Sequence, residues 1–148
     1  MDSGSDMASS DLDILLRNFV ARAQQEITAT GAFYPFAAVI DSAGKGKTVE
    51  FEGGAPNPAP DDISQQLTDV LKIKIATGKI RAAGMCASMM ISPPGGSSPT
   101  EAIAVFLEDI DGDALELYLP YKKADDAVQY SDWITIPAMP RFFGASPN

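Results

Sequence analysis

Histidine is absent from this 148-residue chain, and cysteine occurs once, at Cys86. Without histidine the chain cannot form a Ser-His-Asp or Cys-His catalytic arrangement, and it has no imidazole to bind zinc or iron. A single cysteine cannot form an intrachain disulfide. Whether the chain is an enzyme stays open at this point, but a non-catalytic protein is favoured. The sequence provides no catalytic, cofactor-binding or metal-binding residue to name.

Basic residues are also few: eleven Lys and Arg stand against twenty Asp and Glu, a net charge of −9. Such a chain repels nucleic-acid phosphates and anionic lipids, so we expect neither nucleic acid nor membrane as a partner. The N-terminal residues form neither the basic segment nor the apolar run of a secretory signal, and no run reaches the ~20 apolar residues of a spanning helix. We therefore expect a cytoplasmic protein.

What the chain does contain is enough apolar sequence for one domain, since 45% of its residues are hydrophobic. A chain of this length buries roughly 70% of its unfolded surface without needing a disulfide or a metal. Residues 1–9 are small, polar and acidic, which predicts a disordered tail. We expect a single domain over residues 10–143 and a flexible C-terminus over residues 144–148.

Two segments have the apolar spacing of amphipathic helices. The first runs from Ser10 to just before Gly31, and the second is capped by Asp61 or Asp62 and ends at Gly78. Glycine can adopt the left-handed conformation that ends a helix. The apolar residues of the two segments are Leu12, Leu15, Leu16, Phe19, Val20, Ala23 and Ile27, and then Ile63, Leu67, Val70, Leu71 and Ile75.

The remaining segments alternate like strands. Residues 33–41 and 47–52 predict a hairpin that turns over residues 42–46. Residues 80–123 predict three further strands, and Asp111-Gly112 is the turn signal between the last two. After Lys123 the prolines predict an irregular C-terminal tail with at most a short strand at residues 133–136.

The predicted order is therefore α-β-β-α-β-β-β, followed by that tail. Short connections and apolar helix stripes favour an α+β domain with about five antiparallel strands and both helices on one face of the sheet. This order is similar to the profilin-like and roadblock-like folds, which serve as small-molecule sensors or dimeric scaffolds. A similarity of fold alone licenses no function.

Three segments together resemble an uncharacterised family of small bacterial proteins. They are FYPFAAVIDSAGK at 33–45, GKIRAAGMCASMMI at 78–91 and EAIAVFLEDIDGDALELYLPYK at 101–122, with FYPFA, AI.V.LE and LPY as their features. The resemblance spans most of residues 12–143. It implies an α+β domain whose function is not established, with no catalytic or cofactor-binding residue to carry over.

Two motifs resemble ligand loops but fail on spacing. AGKGKT at 43–48 resembles a phosphate-binding loop, but that pattern requires glycine where Asp41 stands and a helix after Thr48. EDIDGDALE at 108–116 has the acidic density of a calcium loop. Counted from Asp109, however, Gly112 stands fourth rather than sixth, and Glu116 eighth rather than twelfth. We interpret them as a basic hairpin tip and a solvated hairpin turn.

Two hypotheses about function follow. If the helices leave one sheet face open, an apolar patch of Cys86, Ser88, Met90, Ala104, Phe106 and Tyr118 would mediate association with another protein, and a homodimer is the preferred form. Alternatively, Phe36, Met89, Phe106 and Tyr118 would line a small-molecule pocket between helices and sheet. For Cys86 itself, packing as a small buried residue is favoured over reactivity. The resulting candidate residues are Phe36, Cys86, Ser88, Met89, Met90, Phe106 and Tyr118.

Overall fold

A computed structural model describes residues 10–50, 59–92, 98–124, 127–139 and 142–143. The tails predicted at residues 1–9 and 144–148 lie outside these residues. The described chain forms helices α1 (Ser10–Thr30) and α2 (Pro60–Ala76). Its strands are β1 (Phe36–Asp41), β2 (Gly46–Val49), β3 (Ile80–Ile91), β4 (Thr100–Asp109), β5 (Ala114–Lys123), β6 (Val128–Tyr130) and β7 (Ile134–Pro137).

Both helices bury most of the predicted apolar stripes, but Val70 in α2 is 37% exposed, so its predicted place on the buried face is wrong. Helix α1 ends at Thr30 because Gly31 adopts a φ of 87°, and the amide of Gly31 donates to the carbonyl of Ile27 at 2.8 Å. Helix α2 begins at Pro60 and its N-cap is Ala59, so the predicted cap at Asp61 or Asp62 is wrong by two or three residues. Proline suits this first position, since its missing amide would have no partner inside the helix.

The strands form one antiparallel sheet in the order β2-β1-β3-β4-β5-β6, and β7 pairs with β5 as well. The prediction of five strands is therefore incomplete: β7 lies where a short strand was predicted at residues 133–136, but β6 lies in a segment expected to be irregular. These two short strands share one edge of β5: β6 pairs with residues 121–123 and β7 with residues 115–118. Proline at the end of β7 did not prevent pairing, since an edge strand can tolerate a missing amide.

The two helices lie on opposite faces of the sheet, so the prediction of both on one face is wrong. The buried residues of α1 pack with Cys86 and Val105 in one cluster, whereas those of α2 pack with Ala83 and Met85 in another. Successive residues of a strand point to opposite faces, and β3 has apolar residues at both parities. We call the face under α1 face A and the face under α2 face B.

Helix α1 is fastened to the sheet near both of its ends. The guanidinium of Arg81 in β3 donates to the two carboxylate oxygens of Asp11 at 2.7 and 3.0 Å. Beyond the C-terminal end, the ammonium of Lys123 donates to the carbonyl of Gly31 at 2.9 Å. Between these points Phe19 lies against Gly84, where an added Cβ would meet the Phe19 ring at 2.6 Å. Glycine therefore sets how closely α1 approaches β3.

Candidate functional site

Face B is covered by a helix only in part, because α2 packs on β1 and β3. The register continues the face across the remaining strands: Met85 lies opposite Phe106, Phe106 opposite Glu116, and Glu116 opposite Ile136. In the next row, Tyr118 lies opposite Ile134. Apolar side chains therefore continue past the last strand that α2 covers.

We define the open half of face B by the five partly or largely exposed apolar side chains on this surface. Met89 and Ile136 are 41% and 44% exposed, and the other three are half-buried. The set is Met89, Phe106, Tyr118, Ile134 and Ile136. Glu116 lies within this surface, between Phe106 and Ile136. An exposed apolar surface with a polar residue of this kind is typical of interaction sites.

A cleft of about 370 Å³ lies where α2 meets the open half of face B. Its sheet side is formed by Met85, Met89, Phe106 and Tyr118, and its helix side includes the hydroxyls of Ser64 and Thr68. The volume falls at the lower end of the range of small-molecule sites, which are mostly apolar with a few polar groups. The Tyr118 hydroxyl donates to Glu116 at 2.8 Å, which orients the ring at the edge of the cleft.

Four of the predicted site residues border this cleft: Ser88, Met89, Phe106 and Tyr118. The side chain of Ser88, however, points to face A, where its hydroxyl lies 3.3 Å from that of Tyr121. The sequence reasoning missed the helix side of the cleft and the two isoleucines of β7. The spacing of Ser64 and Thr68, four residues apart on one helix, was the available signal.

Phe36 and Cys86 lie elsewhere, in the core beneath α1. Phe36 is 3% exposed and packs edge-to-face against Phe19 with ring centroids 5.5 Å apart. Cys86 is fully buried, which confirms its interpretation as a small packing residue, and burial raises the pKa of its thiol far above the ordinary value. The thiol therefore stays protonated and unreactive at neutral pH.

The predicted apolar patch combined residues from both faces and is wrong as composed. Cys86 pairs with Val105 and Ser88 with Ile103, which places these side chains, together with Met90, on face A. Ala104, Phe106 and Tyr118 lie on face B. Met90 is 63% exposed, and it lies at the far end of β3 opposite Glu101. It does not adjoin the open half.

A polar cluster closes the end of face A near Met90. The Tyr121 hydroxyl donates to Glu101 at 2.8 Å, and Lys123 lies 3.8 Å from the same carboxylate. Burial raises the pKa of Tyr121 to about 12, although its contact with Ser88 acts in the opposite direction. Tyr121 therefore keeps its proton at neutral pH and is a poor general base. The cluster is a hydrogen-bond network of the kind that supports a fold.

The two loops that resemble ligand motifs use their own carboxylates internally. Asp41 accepts the amides of Ala43 and Lys45, each at 2.9 Å, so these amides are not directed at an external phosphate. Thr48 lies in β2, which confirms the predicted hairpin. Asp109 accepts the amides of Asp111 and Asp113 at 3.0 and 3.1 Å, as a hairpin turn requires. No group of three or more acidic or cysteine residues within the described ranges could hold a metal ion.

No known protein family, curated protein or solved structure matches this chain. The resemblance to a bacterial family therefore stays a prediction, and the site has to be interpreted from its own geometry. Neither α1 nor α2 is long and apolar enough to cross a membrane.

Proposed function

We propose that this protein is a non-catalytic association domain that forms a homodimer through the open half of face B. The observation that carries the proposal is that, among the described residues, helix α2 covers only half of face B, and that Met89 and Ile136 are exposed beside the half-buried Phe106 and Tyr118. In a twofold dimer the same patch meets itself, and exposed apolar side chains on both copies would be buried together.

Pairing between sheet edges is less favourable than pairing between faces. The outer strand β2 has only four residues, and Lys47 lies in it next to Lys45. At the other side, β7 also has four residues and ends in Pro137. Short strands, lysine and proline are the features that protect sheet edges from association. The proposed dimer therefore uses the face.

The oligomeric state tests this proposal directly. Light scattering coupled to size-exclusion chromatography should give a dimer at high micromolar concentration, and Ile136→Lys should shift it towards monomer. Ile73→Lys is the matched control, because Ile73 is 69% exposed on α2 and lies outside the open half. A monomeric wild-type protein, or equal loss of dimer in both variants, would contradict the proposal.

Salt dependence provides a second readout of the same dimer. Each copy carries a net charge of −9, so association brings like charges together. Added salt screens this repulsion, with a Debye length of about 10 Å at 0.1 M. We expect the dimer dissociation constant to fall when the salt concentration rises from about 0.05 M to about 0.3 M. An interface built on ion pairs would show the opposite trend.

A second candidate function is small-molecule binding in the cleft, favoured by its volume of about 370 Å³ and its mixed apolar and hydroxyl lining. A thermal-shift screen against metabolites tests it, since a ligand at 100 times its Kd stabilises the fold by about 2.7 kcal/mol. Ser64→Tyr should fill the cleft and abolish the shift, whereas Gln65→Tyr, at the exposed neighbouring position, should not. A shift that survives Ser64→Tyr would place the ligand elsewhere.

A further inference from the structure

Glu108 is a carboxylate at the end of β4 that is only 2% exposed. It lies on face B, opposite Ala83 on one side and Ala114 on the other. One carboxylate oxygen accepts the amide of Phe142 at 2.8 Å, and the other accepts the amide of Phe143 at 2.7 Å. Charge-assisted hydrogen bonds of this kind are among the strong ones in proteins. Glu108 therefore accepts hydrogen bonds from two successive backbone amides.

The side chain of Phe142 adds an apolar anchor beside this polar one. Phe142 is 7% exposed and belongs to the core under α2, which also contains Ile63 and Leu67. Phe143 packs against the same core in part. Hydrogen bonds to a peptide backbone, next to a pocket for one aromatic ring, are a combination by which proteins recognise peptide segments.

Two described residues, Ala138 and Met139, lie between β7 and this anchor. After β7 ends at Pro137, the amide of Ala138 donates to the carbonyl of Ala114 at 3.2 Å. The next residue, Met139, is 81% exposed. The Phe142–Phe143 segment is thus held by Glu108 and by the core under α2. We call its binding site, formed by Glu108 and the neighbouring core residues Ala83 and Ile63, the Glu108 groove.

We propose that the Glu108 groove is a peptide-binding site for the Phe142–Phe143 segment, and that the segment of one chain exchanges into the groove of a second copy. The occupant follows from the structure, because the seated segment shows which chemistry fits. The groove opens on face B, where the open half also lies, so reciprocal exchange gives a twofold dimer. This exchange rests on the proposed homodimer, whereas the peptide-binding capacity of the groove does not.

The groove itself is tested with the full chain carrying Phe142→Ala and Phe143→Ala, titrated with a synthetic peptide of residues 137–148, PAMPRFFGASPN. We expect the peptide to bind this variant more tightly than it binds wild type, where the chain's own segment competes. Adding Glu108→Gln should weaken binding by about tenfold or more, since it removes the charge and one acceptor. A peptide with both phenylalanines replaced by alanine is the control. Absence of binding to the double variant overturns the proposal.

The double variant removes a buried aromatic ring and could fail to fold. The single substitution Glu108→Gln then provides the test. In Glu108→Gln alone, hydrogen exchange at the amides of Phe142 and Phe143 should accelerate by about tenfold or more while exchange in β1 and β3 is unchanged. A uniform acceleration across the sheet would mean that Glu108 only supports the fold, and it would overturn the proposal.

Exchange between copies is tested by complementation. One chain carries Glu108→Gln and an intact segment, and the other carries Phe142→Ala and Phe143→Ala with an intact groove. After mixing, only the mixed dimer contains one intact groove filled by an intact segment. We therefore expect mixed dimers, detected by two affinity tags, in excess over the statistical proportion.

The outcomes separate the two proposals. Dimers that mix in the statistical proportion overturn segment exchange and leave the homodimer standing. Monomers in every sample overturn both the homodimer and the exchange, while the peptide titration still decides whether the Glu108 groove binds the segment.

Discussion

Replacing Gly84 with alanine should destabilise the protein, because β3 leaves no room for a methyl group at this position. An added Cβ would lie 2.6 Å from the Phe19 ring, 2.7 Å from the carbonyl oxygen of Phe106 and 3.0 Å from a methyl of Leu107. Carbon atoms in contact are normally about 3.5–4.0 Å apart. Phe19 is 1% exposed, and the Phe106 oxygen belongs to the backbone of β4, so neither can move away without disturbing the core or the sheet.

The size of the effect follows from two opposing terms. Overpacking a well-packed core costs about 1–3 kcal/mol. Alanine restricts the unfolded chain more than glycine does, which stabilises the folded state by about 0.4–1 kcal/mol. We expect a net loss of about 1–2 kcal/mol in the free energy of unfolding, which for a domain of this length lowers Tm by roughly 3–8 °C.

Urea denaturation monitored by circular dichroism measures this loss, with an unchanged slope showing that the unfolded state is the same. Gly46→Ala is the matched control, because its nearest neighbour, the Val39 carbonyl oxygen, would lie 4.0 Å from the added Cβ, an ordinary contact. If Gly84→Ala is as stable as Gly46→Ala, the close approach of α1 to β3 described above is incorrect.

Three further predictions concern single residues. Cys86 should react with a thiol reagent at pH 8 only as fast as the protein unfolds, because burial keeps the thiol protonated and enclosed. Labelling that is fast and independent of denaturant would contradict its burial. The pKa of Tyr121 lies near 12, above its ordinary value of 10.0, so its contribution to stability is complete below pH 10 and is lost as the pH rises towards 12. Burial also raises the pKa of Tyr130, so ultraviolet titration should show more than one late-ionising tyrosine, and Tyr121→Phe should remove the step near pH 12. Persistence of that step in the variant would refute the assignment. Gly112→Ala should lower the free energy of unfolding by about 1 kcal/mol, measured by urea denaturation, because Gly112 has a φ of 99°. Steric contact adds nothing, since no atom lies within 4 Å of the added Cβ. An unchanged stability would argue against the left-handed turn.

Local features of the fold could be predicted from sequence because they depend on neighbouring residues. The stripe from Leu12 to Ile27 identified α1, Gly31 marked its end, and Asp111-Gly112 marked the β4–β5 turn. The placement of α2 could not be predicted in this way. An apolar stripe shows that a helix is buried, but it does not show on which face of the sheet.

The candidate site depended on register, which a single sequence leaves open. Alternation within β3 separates Cys86 from Met85, but only the pairing with β4 shows that Met85 shares a face with Phe106. Glu108 was missed for a related reason. It looked like part of an acidic turn, and its role depends on Phe142, which lies 34 residues away in the chain.

The opposite placement of the helices has a consequence for how the sequence can change. Each helix has its own hydrophobic core, and the sheet lies between them. Substitutions without shared neighbours have effects on stability that add to within about 0.5 kcal/mol. Ile27→Val under α1 and Ile63→Val under α2, each costing about 0.5–1.5 kcal/mol, should therefore be additive, and a larger coupling would indicate that the sheet transmits strain. The two halves of the interior are free to diverge independently, so a compensating substitution is to be sought on the same face as the change it offsets.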